Sequence, residues 1–163
     1  MKFLNRFYAG VGLGLICLLM ACTKNNVYEK NQDVVNNKWS WNDKKAFQVN
    51  ITDTTTMYNL YVNVRHAGTY MYSNLWVKIH TRFPDGSSFD KRVELPLADK
   101  DGKWYGEGIS DIYDVQVSLQ QNMYFSKQGT YTFELEQNMR QNPLPGIMSM
   151  GLKLENTYHK RTR

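Results

Sequence analysis

Thiol chemistry is the first that this sequence offers. Cys22 ends the run Leu19-Met20-Ala21-Cys22, with a small residue directly before the thiol, which is the form of a bacterial lipobox. At such a site the cysteine receives a diacylglyceryl group and, after cleavage, becomes the acylated first residue of the mature chain. The flanks agree. Lys2 and Arg6 open the chain, no acid precedes Glu29, and an apolar stretch runs from about Phe7 to Met20. Its length of about 14 residues falls short of the ~20 needed to cross a hydrocarbon core, so it reads as a secretory signal. Multiple acyl chains, at about 0.8 kcal/mol per buried CH₂, hold a protein on a bilayer far more firmly than one chain can.

No other group has the spacing of a catalytic or metal site. His66, His80 and His159 stand far apart, without the i, i+2 or HExxH-like spacing that brings imidazoles onto one metal or substrate. His80 falls on the polar face of a strand pattern and reads as solvent-exposed. Asp99 and Asp101 precede Gly102 like the start of a calcium loop, but the third oxygen ligand and the distal Glu of an EF-hand are missing. A turn in which Asp caps its own backbone is the better reading; the alternative is a surface calcium site to which Asp111 and Asp114 add ligands from a neighbouring loop. GxSxG, Walker and paired-cysteine patterns are absent. The expectation is no catalytic residue, no metal and no cofactor.

Two binding motifs remain. Trp76 and Trp104, if exposed on a sheet face, have the flat surface that stacks on sugar rings; the alternative is that they fill the core. The stretch Asn142-Pro143-Leu144-Pro145-Gly146 is stiffened by two prolines, which lowers the entropy lost on docking. It is either a protruding docking loop with Leu144 at its centre or an inter-sheet crossover with Leu144 in the core.

The elements that must position these groups are strands. Residues 1–21 read as the signal, 22–37 as the lipidated N-terminus and a polar tether, 38–157 as the domain and 158–163 as a basic, frayed tail. Within the tether Val27–Lys30 has the composition of an edge strand. Phe47, Val49 and Ile51 alternate with polar neighbours, as do Leu60, Val62 and Val64, then Leu75, Val77 and Ile79, then Val115, Val117 and Leu119, and finally Tyr131, Phe133 and Leu135. Asp85-Gly86 and Asp101-Gly102 supply turn signals. The fold class is all-β, a single antiparallel two-sheet sandwich of about eight strands, Ig-like or jelly-roll-like in topology. Cys17 leaves with the signal and Cys22 is consumed by lipid, so no intramolecular disulfide forms. The whole chain carries a net charge of +5. That charge forms no concentrated basic stripe, and nucleic acid is excluded as a partner.

The blocks "ITDTTTMYNLYVNVRHAGTYMYSNLWVKI", "FPDGSSFDKRVELPLADKDGKWYGEGISDIYD" and "FELEQNMRQNPLPGIMSMGLKLE", together with the lipobox, resemble the gliding-motility lipoprotein H (GldH) family of the Bacteroidetes. The resemblance implies a small, non-enzymatic envelope lipoprotein linked to the gliding apparatus, which works beside the type IX secretion machinery. Only Cys22 carries over as a functional position, and the matching loops carry over as structural or docking surface. The implied partners are a membrane, through the acyl chains, and envelope proteins, with no small-molecule substrate. Thr23 after the cysteine favours the outer membrane, and the absence of an acidic cluster there favours its periplasmic face. A surface glycan-binding lipoprotein using Trp76 and Trp104 is the alternative.

Overall fold

Strand alternation becomes two packed antiparallel sheets in the computed structural model, which describes residues 25–161. The signal segment, the lipobox and Cys22 lie outside the described residues. In chain order the strands are β1 (Asn26–Asp33), β2 (Lys38–Trp39), β3 (Lys45–Ile51), β4 (Thr56–Ala67), β5 (Asn74–Arg82) and β6 (Ser88–Pro96). They continue as β7 (Glu107–Ile109), β8 (Ile112–Met123), β9 (Gly129–Gln137), β10 (Leu144–Pro145) and β11 (Ile147–Lys160). One sheet has the order β1-β11-β4-β8-β7 and the other β3-β9-β5-β6, while β10 pairs with β2. This is the all-β sandwich expected, and among the described residues its long strands number eight, with β2, β7 and β10 short.

The core lies where the alternation puts it. Phe47, Val49 and Ile51 from one sheet and Leu60, Val62 and Val64 from the other point into one interior, filled out by Leu75, Val77, Tyr131, Phe133, Leu135, Met150, Leu152 and Leu154. Burying each such side chain is worth about 1.5–3 kcal/mol relative to leaving it exposed. On β8 only Val115 is fully covered; Val117 and Leu119 are half-buried on a stretch whose outer side β7 does not reach, since β7 pairs only with residues 112–114. The hairpin between β5 and β6 turns at Pro84–Gly86, where Asp85 Oδ1 accepts the Ser87 amide at 3.0 Å.

Both ends of the described span, from residue 25 and up to residue 161, are more ordered than their composition suggests. The span expected as tether contributes β1, which pairs with β11 at Asn26↔Glu155 and, past a bulge at Val27, continuously from Tyr28↔Leu154 to Asp33↔Ser149. Backbone hydrogen bonding, with half-buried Tyr28 as the apolar contact, holds this polar edge. Gln32 Nε2 then donates to the Ala46 carbonyl at 2.6 Å, and buried Lys45 reaches the Asp33 carbonyl at 2.8 Å, which ties β1 to β3 across the sandwich. The span expected as a frayed tail continues β11 to Lys160, which pairs with Thr56, and the Arg161 amide donates to Thr55 at 2.8 Å.

Candidate functional site

The proline-rich stretch is a crossover whose centre is inside the molecule. Buried Gln137 ends β9 and organises the turn that follows: its Nε2 donates to the Gln141 carbonyl at 3.0 Å, and its Oε1 accepts the Met139 amide at 2.8 Å. Asn142 Oδ1 accepts the Trp41 amide at 3.0 Å. Leu144 then turns inward to zero exposure and pairs with Trp39. Gly146 has φ +89°, and a Cβ there would sit 3.2 Å from Tyr70, so glycine fits both the conformation and the space. Of the five residues read as a docking loop, only Asn142 and Pro143 are exposed; Leu144 is a plug rather than a tip.

Behind this crossover lies an aromatic cluster around His66. It shares the inward parity of Leu60, Val62 and Val64 and is fully buried. Its Nδ1 is 3.0 Å from the Ala67 carbonyl, an acceptor only, so Nδ1 carries the proton. Nε2 has no hydrogen-bond partner. Trp104 packs edge-on at 4.6 Å, and Tyr113 stacks at 5.6 Å with 16° between the planes. Burial pushes the His66 pKa below the ordinary histidine value, against the opposing pull of the Ala67 carbonyl. Tyr70 donates to the Asn74 carbonyl at 3.0 Å, and its burial pushes its phenol well above the usual range.

Around the rim of this end the loops expose apolar side chains. Trp41, Met71, Tyr105, Ile109 and Ile112 are all accessible, Ile109 at 86% and Met71 at 69%. Ile109 and Ile112 are cross-strand partners on one hairpin, and Trp41, Met71 and Tyr105 come from three other connections at the same end; exposed apolar side chains gathered this way are the kind of surface that marks a protein contact.

The remaining sequence-predicted residues are spread over other surfaces. Trp76 points outward from β5 with the Arg92 guanidinium 4.2 Å over its ring, while Trp104 packs against inward-facing His66, so the two do not form one stacking platform. His80 is bracketed by Asp90 at 2.8 Å and Glu136 at 2.9 Å, with Lys78 on Asp90 and Lys44 on Glu136. Lys78 and His80 hold the Asp90 carboxyl below its usual range. Asp99 Oδ1 accepts the amides of Asp101 and Lys103, both at 2.9 Å, a self-capped turn. Asp114 is engaged by Arg65 through two bonds of 2.8 and 3.0 Å. Among the described residues no group of three or more His, Cys, Asp or Glu is arranged to hold a metal.

One surface has no counterpart in the sequence reading. On the outer face of the five-stranded sheet, register aligns Asn31, Gly151, Asn63 and Gln116 in a row across four strands. Gln116 donates to Asn63 at 3.1 Å and Asn63 to Asn31 at 3.3 Å. Arg65 and Asp114 close one side of a shallow trough of about 310 Å³. These amides come from strands far apart in sequence, so only the pairing register reveals them.

Residues 26–154 match the family described as GldH lipoprotein. The chain is 28% identical to the gliding motility lipoprotein GldH homolog of Christiangramia forsetii, over 86% of this chain and 90% of that one. It is 27% identical to the gliding motility lipoprotein GldH of Flavobacterium johnsoniae, over 90% of this chain and 95% of that one. Among solved structures, the VP2 subviral particle of infectious bursal disease virus overlaps 80% of this chain and 31% of its own at 14% identity. The TM-score there is 0.32, too low to bear on fold or function.

Proposed function

The chain belongs to the GldH lipoprotein family, and from that premise we propose that it is a non-enzymatic adaptor, acylated at Cys22, which docks onto gliding or type IX secretion-associated machinery. A gliding-motility lipoprotein of the cell envelope is what the family relationship makes it. The outer membrane and its periplasmic face are the proposed place. The observation that carries the docking reading is the rim of exposed apolar side chains at the loop end, Met71 and Ile109 foremost. A lipid anchor raises the effective concentration of that rim for membrane-bound partners, so modest intrinsic affinity suffices.

In-cell crosslinking of the tagged, lipidated protein, followed by mass spectrometry of its neighbours, tests this. Gliding or secretion subunits should dominate, and Met71→Asp with Ile109→Asp should remove them while the domain stays folded. A Cys22→Ser protein that is released from the membrane yet fully active would count against the anchoring role.

A second reading, glycan binding, is favoured by the amide trough, since planar amides beside three acids, Glu29, Asp33 and Asp114, and the arginine Arg65 suit sugar hydroxyls. Here Asn63 and Gln116 replace Trp76 and Trp104 as the residues to test. A glycan array bound by the wild type and lost on Asn63→Ala supports it, and a blank array from folded protein removes it.

A further inference from the structure

We infer that the end of the sandwich opposite the loop rim lies flat against an anionic lipid surface, with Lys160, Arg161, Tyr124 and Tyr158 as the contact. This rests on the acylation of Cys22 proposed above. Three residues separate Cys22 from Asn26, the first residue of β1. At ~3.6 Å per residue the Asn26 Cα lies no more than about 15 Å from that of Cys22, whichever path the chain takes. The sandwich is therefore not on a long leash, and the end at which β1 starts is the end held at the membrane.

That end is built from the start of β1, the finish of β11, and the loops 52–55, 83–87 and 124–128. It is tied together as one surface. Gln128 donates to the Thr52 carbonyl at 2.7 Å, Lys127 pairs with Asp85 at 2.6 Å, and the Arg161 amide holds Thr55 at 2.8 Å.

Its chemistry is that of a membrane-water boundary. Tyr124 and Tyr158 are exposed large aromatics, and tyrosine combines an apolar ring with a polar tip suited to the headgroup level. The Arg161 guanidinium lies 3.9 Å over the Tyr124 ring, which places a cation and an aromatic together. Lys160 is exposed beside them. The acids at this end are already engaged. Asp53 accepts hydrogen bonds from the Thr55 amide and hydroxyl and from the Thr56 hydroxyl, and lies 4.0 Å from Lys160; Asp85 is held by Lys127 and Ser87. The strand pairing that continues β11 to Lys160 presents these cations on an ordered edge, and the sequence adds Arg163 just beyond.

The acylated full-length mature protein, reconstituted in phosphatidylcholine vesicles with and without phosphatidylglycerol, provides the test, with amide hydrogen exchange as the readout. Exchange in 52–55, 124–128 and 157–161 should slow when phosphatidylglycerol is present, while 68–72 and 98–106 at the other end stay unchanged. Lys160→Glu with Arg161→Glu should abolish the phosphatidylglycerol dependence and leave the protein membrane-bound. Protection at the opposite end, or exchange indifferent to phosphatidylglycerol in acylated protein, overturns the inference alone. A Cys22 peptide free of acyl chains by mass spectrometry overturns it together with the anchoring it rests on.

Discussion

The two ends of the sandwich differ in the chemistry they expose. One, where β1 starts and β11 finishes, presents tyrosines and cations on hydrogen-bonded strand ends. The other presents exposed apolar side chains above aromatic rings packed on buried His66, with the proline crossover locking the two sheets together. A single antiparallel fold supports both because strand interiors fix the core while connections carry recognition. At the loop end Leu144 and His66 have zero exposure, and these hidden parts should be the most sensitive to mutation.

The largest effect is expected at Leu144. Leu144→Asp places a carboxylate where the side chain has zero exposure and should unfold the domain or cost at least ~3 kcal/mol in urea denaturation. Arg140→Ala, in the same connection but exposed, should stay within about 0.5 kcal/mol. Equal effects would dissolve the distinction between plug and rim. Next comes Gly146→Ala, which meets both a left-handed backbone and the Tyr70 ring; a loss of about 1–2 kcal/mol in the same assay is expected.

A pH dependence sharpens the picture further. The folded His66 pKa lies below the unfolded value of about 6.5, so the unfolded chain binds the proton first as pH falls. The stability linked to His66 is therefore intact above that pH and is lost as pH drops from about 6.5 toward the depressed folded value. Thermal melts between pH 7.5 and 5 should fall in this window, and His66→Phe should flatten the slope. The smallest effect on stability belongs to the rim and the basic end: Ile109→Asp, and separately Lys160→Glu, should each shift the melt by no more than about 0.5 kcal/mol. Their consequences should be confined to partner and membrane binding respectively.

Much of this was legible in the sequence where burial is one-sided. The inward sets on β3, β4, β5 and β9 follow the period of two, and Asp85-Gly86 turns where its chemistry requires. Even His66 carried a signal, since it continues the parity of Leu60, Val62 and Val64. At the N-terminal side only Val27–Lys30 was legible as an edge strand; the rest of β1 and the last residues of β11 are polar edges whose order comes from backbone pairing to neighbours far away in sequence, so composition described them as tether and tail. Trp104 and Leu144 each had two compatible roles, and only their packing separates plug from platform. The amide row of Asn31, Asn63 and Gln116 depends on register across four strands, which alternation cannot supply.

The division of labour between the ends is tested most directly by photocrosslinking in living cells, with a photoreactive residue introduced at Ile109 in one strain and at Tyr158 in another. The account predicts protein adducts from position 109 and lipid adducts from position 158. Lipid adducts from 109, or the same protein neighbours from both positions, would contradict it.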